Sequence, residues 1–596
     1  MFISETLALA CQRVNLSSHL PQKQEKDCFM GNRYISPRLL LPVVILFVAL
    51  HKAPVAAETG TFMIAAANPL AAEAGRDILA RGGSAVDAAI ATQMVLTLVE
   101  PQSSGIGGGA FMLHFDAADK KLETYDGRET APASIREDHF LTAEGEAKKF
   151  YEAVVGGGSV GAPGVLALLE MAHRDHGKLE WRELFEPAIR LARDGFLISP
   201  RLYFLLDRDE HLKTKSAARA YFYDGEGKAK AVETRLKNPA LADTFTVIAE
   251  EGAAAFYQGD IAAAIVDTVQ QDAENPGLLS LDDLASYRAV KRDPVCAPYH
   301  AYQVCGMGPP TSGGVTLLQM LRLLEGQNIG ALPPASAEAI DLIAQASALA
   351  FADRGKYLAD ADFVDVPVTA LLAPGYIKQR AALIQPGESP LPFAAGTPLE
   401  RQGSLGIDDA IELPSTSHFS ILDSFGNAVS MTTSVENAFG SRLMTGGFIL
   451  NNQLTDFSFH PRTEDGPVAN RVEPGKRPRS SMSPTMVFDA DGNLEMVIGS
   501  PGGGRIIGYV LKTLIAALDW KMDIGAAIDM PHFINRNGAL ELEKDTPVAD
   551  LQSALEEMGY KVNVRPLNSG LHAIRITPDG VTGGADPRRE GVVLDR

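Results

Sequence analysis

Beyond residue 60 the spacing of apolar positions changes several times along the chain. Residues 62–67 form a short continuous apolar run, the mark of a buried strand. Asn68-Pro69 reads as a helix N-cap followed by proline in the first turn, and Gly82-Gly83 as the stop. A second helical pattern covers about 84–98 and leads into a glycine-rich loop, 103–109, and a strand at 111–115. From about 163 to 340 the spacing is mostly helical, as at 165–173 and 184–192, apart from a hairpin pattern at 295–306. Residues 385–415 are rich in Pro, Gly and Ser and lose all periodicity, which predicts a loose surface segment ending at Ser415. Period-two alternation starts at once beyond it, at 418–423, 428–434, 448–451, 485–488 and 496–499. A helix at 507–518 and a further strand–helix–strand set carry the pattern to 576. Helices, then strands, then helices again predict a layered α/β/α sandwich.

The hairpin also carries chemistry. A two-residue turn at His300-Ala301 places Cys296 opposite Cys305 as a non-hydrogen-bonded pair, within reach of a disulfide. The alternative is two half-buried thiols. The other two cysteines, Cys11 and Cys28, lie in a segment with a different character. An apolar run at 39–50 follows Arg33 and Arg38 and precedes Pro54-Val55-Ala56-Ala57, with small residues at the −3 and −1 positions of a cleavage site. That is the layout of a secretory signal peptide, and the run is short for a membrane span. Residues 1–57 are therefore expected to be removed, leaving an exported protein, periplasmic or secreted, in which a Cys296–Cys305 bridge can persist. Residues 1–29 do not resemble the start of such a signal, which places the first translated residue at Met30.

Composition narrows the field further. At 46% hydrophobic and 21% charged residues the chain is an ordinary folded protein, and its net charge of −20 excludes nucleic acid as the main partner. The twelve histidines show no metal-ligand spacing, so neither metal nor other cofactor is expected. Gly156–161 satisfies G-x-G-x-x-G between a strand-like and a helical stretch, but the second strand with an acidic end is missing. The same residues satisfy G-x-S-x-G, with Ser159 as a candidate serine nucleophile, although Pro163 starts the helix too late for a nucleophile elbow.

Thr416 heads the strand-rich region. A threonine hydroxyl needs an adjacent base. If the chain is cut before Thr416, the new α-amino group titrates near 8 beside that hydroxyl, and one residue supplies both. The segment Thr416-Ser417-His418-Phe419-Ser420, continuing through Gly426-Asn427 to Thr432–Gly440, resembles the processing site of the γ-glutamyltransferase (γ-glutamyltranspeptidase) family. Further matches run in order: 105–109, 127–129, 309–314, 351–354, 450–453 with Asp456, 477–485, 499–503 and 586–589.

That resemblance implies an N-terminal-nucleophile hydrolase, an α/β fold with an αββα four-layer sandwich. It would consist of a large fragment, 58–415, and a small catalytic fragment, 416–596, forming a heterodimer after cleavage between Ser415 and Thr416. It implies attack by Thr416 on γ-glutamyl amides such as glutathione, with the acyl group passed to water or to an amino-acid or dipeptide acceptor. Ser434 would bond the Thr416 α-amino group, and Gly502 and Gly503 would form the oxyanion hole. Arg128, Ser480 and Ser481 would hold the substrate carboxylate; Gln453 and Asp456, with Glu436 in place of a common asparagine, would hold its ammonium. The segment 456–480 reads as a shortened lid without tyrosine or tryptophan. Three alternatives stay open: an acylase of the same fold acting on glutaryl-type side chains, a Ser159 hydrolase, and an unprocessed binding protein.

Overall fold

The computed structural model describes residues 60–399 and 404–596. The expectations for residues 1–57, the signal peptide and the Met30 start, lie outside them. Two antiparallel sheets dominate. The first has the strand order Val592–Asp595, Met63–Ala66, Ser417–Leu422, Ala428–Ser434, Gly109–Asp116, Lys121–Gly127, Val290–Arg292. The second runs Gly580–Ala585, His572–Thr577, Leu494–Gly499, Thr485–Phe488, Tyr302–Gly306, Val295–Tyr299.

The sheets pack face to face, and helices cover their outer faces. Strand alternation explains how. Ile64, Ala66, Ala110, Met112, Phe419, Ile421, Val429 and Met431 face the helices Pro69–Ala80, Ala85–Val99 and Val165–His176. Their neighbours Met63, Ala65, Phe111, Leu113 and Phe115 join the core shared with the second sheet. Beyond that sheet lie the helices Gly313–Leu324, Ala337–Tyr357 and Ile506–Leu518. Strands buried on both faces are the physical signature of an αββα sandwich.

Local signals act as read. The Asn68 side chain accepts from Leu70 N with Pro69 in the first turn, and Ser84 forms a reciprocal capping box with Asp87. The hairpin turns at His300-Ala301, and Cys296 and Cys305 pair and are bonded, with Cα atoms 4.1 Å apart. Two expectations need correction. Residues Phe150–Val154, read as strand-like, form a short helix, so nothing resembling a strand–loop–helix phosphate cradle surrounds Gly156–161. Among its described residues the segment before Ser415 has no helix or strand, but its end is not a surface loop: Ser415 is buried and the Glu412 side chain is 7% exposed.

Candidate active site

Thr416 stands one residue before the strand Ser417–Leu422. The register sets Ser417 opposite Thr433, which brings Ser434 up beside Thr416. Their hydroxyl oxygens lie 3.0 Å apart, and the Glu436 N–H donates to Ser434 Oγ at 2.9 Å. In the intact chain Ser434 thus meets the Thr416 hydroxyl. The adjoining Gly108 is there for close approach, since a Cβ on it would lie 2.1 Å from the Ser434 carbonyl oxygen.

The peptide between Ser415 and Thr416 is gripped and strained. Thr416 has φ +82°, a left-handed value that a β-branched side chain adopts at a cost of about 1–3 kcal/mol. The Gly502 N–H donates to the Ser415 carbonyl at 3.1 Å. Arg589 donates to the Thr416 carbonyl at 2.8 Å and reaches the Ser415 carbonyl at 3.5 Å. Gly502 has φ +141°, and a Cβ there would strike the Tyr509 ring at 2.6 Å. Gly503 lines the cavity, where a Cβ would meet the Leu413 carbonyl oxygen at 2.4 Å.

One small cavity collects the remaining candidates: Arg128, Glu436, Gln453, Asp456, Ser480 and Ser481 line it together with Thr416, Ser434 and Gly503. Two backbone arrangements deliver them. Asn451 bonds the Gly107 and Gly161 carbonyls and accepts from Gln453 N, fixing the turn that carries Gln453 and Asp456. Ser480 N donates to the Pro310 carbonyl, and Ser312 N to the Ser480 carbonyl, so the 309–314 turn holds the serine pair.

Arg128 is fully buried and already engaged, donating to the Pro478 and Arg479 carbonyls and to Asp456 Oδ2 at 2.5 Å. The resemblance assigned it to the substrate carboxylate; in the intact chain it holds Asp456. Gln453 Nε2 also donates to Asp456 Oδ2, at 3.0 Å, while its buried Oε1 has no partner. Asn452 Nδ2 donates to Glu436. Burial, and then the Asp456 charge, push the Glu436 carboxyl well above its ordinary range. Burial pushes Asp456 up to about 6 against the pull of Arg128. Two buried carboxyls, both raised above their ordinary range, and an unpaired amide oxygen thus lie on the wall of this cavity.

Three contributors escaped the sequence reading. Glu412, four residues before the strained peptide, accepts from Ser481 Oγ and from Arg354 and lines the cavity. Burial opposes its charge, but Arg354 and Arg479 outweigh it and hold Glu412 at about 2. Arg354 and Arg589 sit in matched motifs, which was the only signal for them. With 412–413 in place the cavity measures about 20 Å³, room for a water molecule and no acyl group. The 456–480 segment folds as a small ribbon, Arg462–Thr463 against Gly466–Pro467. Ser159 is ruled out as a nucleophile: it is fully buried, and its hydroxyl donates to the Val154 and Gly156 carbonyls.

A family model described as Gamma-glutamyltranspeptidase matches residues 71–595. The chain is 37% identical over 543 residues to the glutathione hydrolase proenzyme of Bacillus subtilis (strain 168), covering 89% of this chain and 91% of that one. It is 34% identical over 551 residues to the acylase ACY 1 proenzyme of Pseudomonas sp. (strain SE83), covering 91% and 94%. The crystal structure of cephalosporin acylase from Bacillus halodurans superposes with a TM-score of 0.76 at 27% identity, covering 90% and 95%. The chain therefore belongs to the γ-glutamyltranspeptidase family, an enzyme family of the N-terminal-nucleophile hydrolase fold.

Proposed function

We propose that the protein is made as a precursor that cuts itself between Ser415 and Thr416 and then acts as a γ-glutamyltransferase and glutathione hydrolase. Processing begins with attack of Thr416 Oγ1 on the Ser415 carbonyl carbon. The Gly502 N–H and Arg589 carry the charge that develops on that carbonyl oxygen, and Ser434 Oγ is within reach of the hydroxyl proton. The C–N bond breaks to leave an ester on Thr416 and a free amine, and water hydrolyses the ester. An N-terminal residue has no φ, so the strain at Thr416 disappears with the bond and favours cleavage. Glu412 and Leu413 then have to leave for substrate to enter.

In the processed enzyme the α-amino group of Thr416 serves as base. Its hydroxyl attacks the γ-carbonyl of a substrate whose amine or cysteinyl-glycine departs with the proton. Water or an amino-acid or dipeptide acceptor completes the turnover. Fragments 58–415 and 416–596 remain together as a heterodimer. The reading rests most on one observation: Asp456, Glu436 and Gln453 Oε1 line one cavity with Ser480, Ser481 and Thr416. That arrangement fits a γ-glutamyl head, with its ammonium and carboxylate. The acylase relative keeps a glutaryl substrate as the second reading. No helix among the described residues is long and apolar enough to cross a membrane, and the leader pattern points to export. The test is release of a γ-glutamyl anilide with and without a dipeptide acceptor, beside Thr416→Ala. That variant should remain one chain and be inactive; a small fragment starting elsewhere than Thr416 overturns the assignment.

A further inference from the structure

A second group of chemistry-bearing side chains lies away from the catalytic cavity. His114, in the strand Gly109–Asp116, and Glu123, in Lys121–Gly127, are direct cross-strand partners. Helix Val165–His176 ends above them with His176. His176 Nε2 lies 2.7 Å from Glu123 Oε2, and the imidazoles of His114 and His176 stack with centroids 3.8 Å apart. One ligand atom from each of the three residues falls within 4.8 Å of the others. His114 is only 2% exposed, yet its Nδ1 has no hydrogen-bond partner. Histidine spacing along the sequence could not show this, because a strand pair and a distant helix end assemble the group.

We propose that His114, Glu123 and His176 bind a divalent transition-metal ion of the zinc type. Two imidazoles and one carboxylate suit such an ion and leave a fourth position for water. The buried His114 Nδ1, which no protein group occupies, offers the lone pair such an ion would take up. Lys121 and Lys291 both form ion pairs with Glu123. Both ammoniums contact Glu123 Oε1, at 2.8 and 2.9 Å, while Oε2 meets His176 and, at 3.4 Å, the Tyr125 hydroxyl. Asp175, 2.9 Å from Lys291, and Asp116 offset their charge. The stacked rings, 24° from parallel, have to splay for both in-plane lone pairs to meet one ion. A bound ion would tie the helix end to the strand pair Gly109–Asp116 and Lys121–Gly127 and take no part in chemistry at Thr416.

The test uses the full processed protein, stripped with a chelator and titrated with zinc chloride by calorimetry. One ion per chain is expected, with a higher Tm in zinc and the visible bands of a four-coordinate ion when cobalt(II) replaces it. His176→Gln, Glu123→Gln and His114→Gln should each weaken zinc binding at least tenfold. Since none touches the catalytic cavity, zinc-free hydrolysis of a γ-glutamyl anilide should stay within twofold for His176→Gln, which also shows that this variant folds. Absence of stoichiometric binding, or binding unchanged in His176→Gln and Glu123→Gln, overturns the proposal.

Discussion

Asp456→Asn separates the two acyl-group readings more sharply than any other single change. The side chain keeps its shape, and its remaining oxygen can still accept from Arg128 and Gln453, which now donate to Asp456 Oδ2 at 2.5 and 3.0 Å. What it loses is the charge opposite a substrate ammonium. A hydrogen bond to a charged partner contributes about 1.5–3 kcal/mol, or roughly 10- to 150-fold. We expect kcat/KM for a γ-glutamyl anilide to fall about 30-fold, taken as ~2 kcal/mol. The matching glutaryl anilide, which has a methylene at that place, should stay within about threefold because it loses no charged partner.

The pH dependence follows with a definite sign. Asp456 sits at about 6, raised by burial despite Arg128, so below that pH it takes up a proton and cannot pair with an ammonium. The ratio of γ-glutamyl to glutaryl kcat/KM should therefore be high at pH 8 and fall as pH drops through about 6. The Thr416 amine titrates in both reactions and cancels in the ratio. Glu412 also raises Asp456, so its departure moves the fall to lower pH, never higher. In Asp456→Asn the fall centred near 6 should be lost. Equal kcat/KM for the two wild-type anilides, or a ratio that rises on acidification, refutes the ammonium pocket and favours the acylase.

Arg589→Met should slow self-cleavage at least tenfold, seen as persistent precursor on denaturing gels, because a charge-assisted bond of about 1.5–3 kcal/mol to the Ser415–Thr416 segment is lost. Ser159→Ala should leave turnover unchanged while lowering stability by about 1 kcal/mol in denaturant melts, since it removes only hydroxyl bonds to two carbonyls. Free-thiol titration of the denatured, unreduced protein should find Cys296 and Cys305 blocked; Cys305→Ala should cost about 2 kcal/mol, the low end for a disulfide because the hairpin already closes the loop.

What could be read without coordinates was whatever depends on near neighbours along the chain. The alternation at Ala428–Ser434 and Thr485–Phe488, the Asn68 and Ser84 caps and the Cys296–Cys305 register are short-range consequences of backbone geometry, and each appears as expected. The convergence of Arg128, Gln453, Asp456, Ser480 and Ser481 was legible only through family motifs, since no local rule brings these residues to one cavity. The positive φ of Thr416 was not legible: threonine gives no hint of a left-handed backbone, and the strain exists because the sheet register and the grip of Gly502 and Arg589 fix both sides of the peptide.

The segment before Ser415 failed for a related reason. Its composition lacks the apolar rhythm of a core, a pattern that predicts exposure. Yet a polar segment is stable in the interior where charged partners await it, and Glu412 finds Arg354 and Ser481 there. Ser481 is also one of the groups proposed to hold the substrate carboxylate, and a pocket that takes a carboxylate can accept one from its own chain. The precursor's plug and the proposed substrate thus compete for the same chemistry. The proposed cleavage would change the balance by freeing Glu412 from the backbone link that holds it in place, and the loss of strain at Thr416 would add to the drive. Self-processing and opening of the pocket are on this view two results of breaking one peptide bond.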